Sequence, residues 1–442
     1  MLKLLLGRSG TGKSAALLRA MAGADGTRPQ ILIVPEQHSH DTERALCAAG
    51  GSRVSLYAEV LSFTRLASRV FTVSGGLAAP ALDAGGRVLL MRSALQAVGE
   101  QLRVYGRPSQ KPAFLSGLIA TVDELKSCRI TPGHLWTAGE EAEGPEGDKL
   151  RDLSLIFGAY EALTARQGAD PRDRLTRLSA ALAETCWAAG RDFYLDGFTD
   201  FTPQEREVIR RLLEQAHSVT VALTCDCLEE DEGGTGIFSP ARRTAARLLE
   251  LAREAGIPRE IEVRAGADAD RREALAYLEQ NLFASRPAPM EGEAGEIALF
   301  TAHTPYSEVE YAAAEILRLV REEGYRFRDI AVALADPEGY GDLIETVFPR
   351  YGIPAFLSRM TDVLQKPVLT LITAALDTAA GGYRYDDLFR YLKTGLTGLE
   401  AEEVDLLENY ALKWDLKGSR WTQKGDWTMH PRGYGLPWLP AD

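Results

Sequence analysis

The sequence has no apolar run of about 18 residues, the length a membrane-spanning helix needs, so it supports no helical span. The opening MLKLLLGRSG is too short in its apolar part for a secretory leader and lacks a small-residue cleavage site. Cysteine is scarce: five residues, at 47, 128, 186, 225 and 227. Only Cys225 and Cys227 lie close together, as C-x-C, which matches neither a redox C-x-x-C nor a zinc pair. A disulfide framework is therefore excluded, and the expectation is reduced thiols in a cytoplasmic protein. Positive charge is also in deficit, with 50 Lys and Arg against 63 Asp and Glu, a net −13. That excludes a free-standing basic nucleic-acid binder but leaves room for a locally positive groove. No internal repeat is present. What remains is ordinary globular composition, 45% apolar and 26% charged over 442 residues, enough for roughly three domains.

The first residues read strand, loop, helix, strand: Leu2–Leu6, a Gly-rich Gly7–Gly12, Ser14–Ala22, then Ile31–Val34. This order and spacing predict a βαβ unit and a parallel sheet. Val54–Leu56 is a third strand candidate, followed by helical Ser62–Val70. Residues 75–188 show only helical periodicity, in Arg87–Val98, Ala113–Cys128, Lys149–Gln167 and Leu175–Ala188, with Thr137–Asp148 read as an exposed loop. Strand and helix alternate again through Asp192–Leu195, Pro203–Ala216, Val219–Thr224 and Arg242–Ala255. Ser285–Gly295 reads as a linker. A second α/β unit is predicted beyond it, with strands at Ile297–Thr301, Ile330–Leu334 and Pro354–Leu357 and helices at Ser307–Glu323, Gly339–Tyr351, Val368–Ala379 and Tyr385–Leu392. The last stretch carries Trp421, Trp427 and Trp438 without a period, read as an exposed contact surface, and its lack of a capped end reads as a fragment of something longer.

Gly7-Arg8-Ser9-Gly10-Thr11-Gly12-Lys13-Ser14 fits G-x-x-x-x-G-K-[ST], with a strand immediately before it and a helix immediately after. Glycines let successive backbone N–H groups turn toward phosphate oxygens, and a helix N-terminus adds partial positive charge. Lys13 would reach the β- and γ-phosphates of ATP, and the Ser14 hydroxyl would ligate Mg²⁺. The bland alternative is a Gly-rich turn that binds nothing. Such a site also needs an Asp at the end of a neighbouring strand; Phe193-Tyr-Leu-Asp196 supplies one, its alternative being a turn-capping carboxylate. A Glu that would polarise water directly after that Asp is missing, because the next residue is Gly197. Asp200 and Glu205 do not occupy its place. Nucleotide binding without fast hydrolysis is the expectation.

LKLLLGRSGTGKSAALL, ILIVPEQHSHDTERAL, VLSFTRLASRVF and YLDGFTDFTPQEREVIRRLL, in that order, resemble the B-subunit family of the bacterial AddAB (RexAB) ATP-dependent helicase–nucleases. TPYSEVEYAAAEILRLVREEGYRFRDIAVAL, RYGIPAFLSRMTDVLQKPVL and FRYLKTGLTGLEAEEVDLLENYAL continue the resemblance over nearly the whole chain. It implies an α/β fold of the P-loop NTPase type, with superfamily 1 helicase-like RecA-type domains: residues 1–75 and 190–285 as the first, 75–190 as its helical insertion, 296–442 as an incomplete second. It implies an A-subunit partner carrying the main motor, action on single-stranded DNA and duplex ends in double-strand break repair, and a C-terminal nuclease with a four-cysteine iron–sulphur cluster. None of the five cysteines here is assigned to that cluster, and no nuclease motif or clear arginine finger is recognisable. The chain alone is expected to be no nuclease and a poor motor.

Ser62-Phe63-Thr64-Arg65 resembles the superfamily 1 segment that touches single-stranded DNA. The hydroxyls and Arg65 could bind phosphates and Phe63 could stack on a base; alternatively Ser62 is a helix cap and Phe63 is core. Gln37, His38 and His40 follow the second strand at the ligand-binding end of the sheet, where a phosphate or DNA contact is one reading and surface polar loop residues the blander one. No His, Cys or Asp set has zinc spacing. Two competing readings are a stand-alone P-loop small-molecule kinase, disfavoured by length and the helical insertion, and a structural scaffold with a dead nucleotide site.

Overall fold

The computed structural model describes residues 1–76, 81–106, 111–229, 236–264, 272–284, 286–357, 363 and 366–433. They fall into two compact units, Met1–Ile297 and Ala298–Asp442.

The first unit is built on β1 (Leu2–Gly7), α1 (Lys13–Ala22), β2 (Gln30–Ile33), α2 (Ser39–Gly50), β3 (Ala58–Leu61) and α3 (Phe63–Ser74). Four helices follow: α4 (Ala84–Val98), α5 (Pro112–Ser127), α6 (Pro132–Glu141) and α7 (Pro145–Gln167). Then come α8 (Arg174–Glu184), β4 (Asp192–Leu195), α9 (Pro203–Gln215), β5 (Ser218–Thr224), α10 (Ser239–Glu254), β6 (Arg259–Val263) and α11 (Glu273–Asn281). All strand pairs are parallel, in the order β3-β2-β4-β5-β1-β6.

Strands buried on both faces explain the continuous apolar runs. Leu4 and Leu6 face α3, α8, α9 and α10, whereas Leu5 faces the opposite way, onto Leu17 and Met21 of α1. The result is a helix–sheet–helix sandwich. Helices α4–α7 have a separate core of Leu90, Met91, Leu118, Ile156, Phe157 and Tyr160. Helix α8 instead seats Leu178 and Leu182 on the sheet.

Several expectations are corrected. Val54–Leu56 is a 3-10 turn, and the strand begins at Ala58; the turn sinks Val54 fully into the core, which gave the run its strand-like look. The segment 137–148 is mostly helix, in α6 and α7. Gly144 turns the chain between the two helices at φ 70°, whereas Gly139 and Gly147 allow close helix packing. A Cβ on Gly147 would sit 2.3 Å from the Ala142 carbonyl oxygen, and one on Gly139 would sit 2.9 Å from Cγ of Arg151.

In the second unit, α12 (Pro305–Glu322) and α13 (Pro337–Arg350) share a small core of Val309, Ala313, Ile316, Ile344 and Phe348. Helices α14 (Pro367–Ala380), α15 (Tyr385–Leu392) and α16 (Ala401–Trp414) follow, with Phe389 and Val404 in a second core. The strands expected at 297–301, 330–334 and 354–357 form no ladder among the described residues. Leu299 is 97% and Phe356 93% exposed, so these short segments lack the neighbours a parallel strand needs to satisfy its backbone. Trp421 and Trp427 are packed, edge to face at 5.1 Å, against Phe389 and Tyr410. That corrects the exposed-surface reading for these two. Trp438 lies outside the described residues.

Candidate functional site

β1 delivers the chain to the carboxyl end of the sheet, where ligands bind in open α/β folds. The chain turns there through Gly7–Gly12 and enters α1 at Lys13. Gly10 and Gly12 hold φ of 79° and 74°, left-handed backbone that favours glycine. Gly7 is glycine for space, since a Cβ there would lie 2.4 Å from Oγ1 of Thr11. Gly12 caps α1 with no side-chain hydrogen bond, so the helix N-terminus presents its amides to the loop mouth.

Lys13 is 9% exposed and lies back across the loop. Its Nζ donates to the carbonyls of Gly7 at 2.7 Å and Arg8 at 2.8 Å. An ammonium has three donors, and these carbonyls take two. Burial lowers the Lys13 pKa, while the negative charge of Asp196 acts in the opposite sense. Thr11 closes the turn by donating its hydroxyl to the Arg8 carbonyl at 2.9 Å. Ser14 is exposed in the first turn of α1.

Asp196 follows β4 directly, and β5 lies between β4 and β1. Its backbone N–H donates to the Ile33 carbonyl at 3.1 Å, and its Oδ1 accepts from the Gly197 amide at 3.0 Å. Gly197 adopts φ 81°, and a Cβ there would meet Pro35 at 3.2 Å. A glutamate at this position would be strained, which accounts for its absence. Cys225, just beyond β5, bridges to Gly7, and burial pushes its thiol up to about 11, so it acts as a small apolar wall.

Of the segment resembling a DNA contact, two residues face inward. Ser62 is 3% exposed, caps α3 by accepting the Arg65 amide at 3.2 Å, and donates to Glu36 at 3.1 Å. Phe63 is 6% exposed and packs against Phe198 and Phe201, with ring centroids 5.7 and 6.4 Å away. These places match the alternative reading of Ser62 as a helix cap and Phe63 as a core residue. Thr64 and Arg65 are exposed at the same end of the sheet, as are Gln37, His38 and His40. Among the described residues no cluster of three His, Cys, Asp or Glu is placed to hold a metal.

Sequence reasoning missed the outer contacts of the loop. Arg8 reaches Glu279 of α11, and Arg264, after β6, donates to the Gly12 carbonyl at 3.1 Å. No local pattern announces pairs so far apart in sequence. A cleft of about 800 Å³ lies where α5–α7 meet α9 and α10, lined by Lys126, Arg129, Glu161 and Arg247 among others, and includes no loop residue.

Residues 4–279 match the family model described as "ADDB, N-terminal". Proteins named as the B subunit of an ATP-dependent helicase/deoxyribonuclease are similar over nearly the whole chain. The one from Acetivibrio thermocellus is 35% identical over 97% of this chain and 38% of its own length. That from Desulforudis audaxviator is 38% identical over 100% of this chain and 40% of its own length. That from Symbiobacterium thermophilum is 37% identical over 98% and 39%. The chain thus spans 38–40% of the length of these relatives. No described helix is long and apolar enough to cross a membrane.

Proposed function

This chain belongs to the ADDB N-terminal family, and from that premise we propose that it is the ATP- and DNA-binding, helicase-like part of a B subunit. The whole enzyme would be a heterodimeric ATP-dependent helicase and deoxyribonuclease, with an A subunit as partner and broken DNA as substrate. In this reading residues 1–75 and 190–285 form a RecA-like domain, 75–190 its helical insertion and 296–442 the start of a second such domain. The observation that supports it best is the set of Lys13 bonds to Gly7 and Arg8 across a loop with two left-handed glycines.

Within that loop, the amides at the start of α1 and the third N–H of Lys13 would bind the β- and γ-phosphates. Mg²⁺ keeps most of its waters and asks for few protein oxygens, so the Ser14 hydroxyl and the Asp196 carboxylate suit an ion that arrives with the nucleotide. Bound there, the ion would neutralise phosphate charge. With glycine at 197, no carboxylate follows Asp196 to polarise an attacking water, so nucleotide would serve as a bound ligand more than as fuel. The same observation keeps a scaffold reading as the second choice. No residue here is proposed as an iron–sulphur ligand.

The direct test is titration of the chain with a fluorescent ATP analogue and Mg²⁺. Saturable binding is expected, and a folded chain that binds none would end the reading. For DNA, the exposed Thr64 and Arg65 are the proposed phosphate contacts. Arg65→Ala is expected to weaken single-stranded DNA binding several-fold and to lower the slope of log affinity against log salt by about 1. An unchanged slope would remove Arg65 from the DNA path.

A further inference from the structure

A loop of eight residues with three glycines is soft, because glycine loses the most freedom on being fixed. Its affinity for phosphate depends on what holds it in shape. Inside the loop, Lys13 and Thr11 both hold the carbonyl of Arg8. Outside it, the side chain of the same residue is held by α11 and α10. Nε of Arg8 donates to Oε1 of Glu279 at 3.1 Å, and Nη2 donates to the Glu279 backbone carbonyl at 3.2 Å. The guanidinium carbon lies 5.2 Å from the ring centroid of Phe238, at the start of α10. The ion pair is partly shielded, with Arg8 28% and Glu279 25% exposed. Arg8 is therefore gripped at its carbonyl from within the loop and at its guanidinium from α11.

Helix α11 is itself lightly held. It has nine residues, of which Ala274 is buried, while Leu275 is 42% exposed. A helix this short does not persist by its own hydrogen bonds, so its seating depends on contacts such as the one with Arg8. The two elements thus stabilise one another.

We propose that α11 is a brace on the phosphate loop. Glu279 acts as a positioning residue, holding Arg8 so that the loop keeps its nucleotide-ready shape, and bound nucleotide in turn tightens the seating of α11. This rests on the loop binding nucleotide, as proposed above. Because coupling between two sites is reciprocal, whatever displaces α11 lowers nucleotide affinity by the same factor by which nucleotide opposes the displacement.

The test uses the full chain and a fluorescent ATP analogue with Mg²⁺. Glu279→Ala is expected to weaken binding about fivefold, with Glu279→Gln between it and the parent. Arg8→Ala is expected to do likewise, and the double variant to be little worse than either single one, as a shared contact requires. Amide exchange in α11 is expected to slow on nucleotide addition in the parent and not in Glu279→Ala. Parental affinity in Glu279→Ala, or additive losses in the double variant, would overturn the brace. If Lys13→Ala abolishes binding while Glu279→Ala leaves it intact, the nucleotide site stands and only the brace falls. If the parent chain binds no nucleotide, both readings fall together.

Discussion

Lys13→Ala is expected to weaken Mg–nucleotide binding about 100-fold, a loss of about 2.7 kcal/mol. The size follows from what the ammonium does. A charged hydrogen bond to phosphate in a shielded site is worth about 1.5–3 kcal/mol, and the same group also ties the start of the loop to its end through Gly7 and Arg8. The fold should hardly notice. Burial already penalises the charged form of Lys13, as its lowered pKa shows, and alanine removes that penalty along with the two bonds. Fluorescence titration beside a melting curve separates the two effects. Lost binding with unchanged melting is expected, and equal binding by parent and variant would mean that phosphate is held elsewhere.

The second large effect lies beside the α4–α7 bundle and concerns stability. Asp170 has a fully buried carboxylate. It accepts from Nζ of Lys126 at 3.1 Å and from the hydroxyl of Tyr160 at 3.1 Å, and Nε of Arg87 lies 3.6 Å away. Nζ of Lys126 also bonds Asp173 at 2.8 Å, and Arg87 pairs with Asp123. Asp170→Ala leaves Lys126 and Arg87 short of a counter-charge inside the protein, and is expected to cost about 3–4 kcal/mol in urea unfolding. Replacing Lys126 and Asp170 together by apolar residues should cost less than the sum of the single changes.

Burial pushes the Asp170 carboxyl up, but the Arg172 amide and the charges of Lys126 and Arg87 outweigh it and hold the group below the usual carboxylate range. Its contribution is therefore complete above the unfolded pKa of about 3.9, and is lost as pH falls through the lower folded value. Asp170→Ala should flatten that acid limb of the stability curve. An Asp170→Ala chain as stable as the parent at pH 7 would show that the network is not what holds these helices together.

What the sequence revealed was local. The glycine-rich loop was legible because glycine positions, the lysine and the flanking apolar run all lie within a dozen residues of one another. β4 and β5 were legible because both faces are covered, which makes them continuously apolar. β6 was not, since it is an edge strand with charged residues, and its Glu260 and Glu262 pair with Lys3 of β1. The 137–148 segment misled because glycine means turn in most contexts; that holds at Gly144, but at Gly139 and Gly147 it means helix contact. At the site, Lys13 and Asp196 could be named from spacing. The inward turn of Ser62 and Phe63 depended on a ring cluster formed with Phe198 and Phe201. The link from Arg8 to Glu279, 271 residues apart, depended on the finished fold.

The central claim is that the loop from Gly7 to Ser14 holds the phosphates of a nucleotide. Amide hydrogen exchange of the full chain, with and without Mg–ATP, tests it most directly, because the loop's own N–H groups are the proposed donors. Slowed exchange over residues 8–16, weaker slowing near Asp196 and little change in the α4–α7 bundle is the predicted result. Unchanged exchange over residues 8–16 at saturating nucleotide, or protection confined to the cleft between α5–α7 and α9–α10, would contradict it.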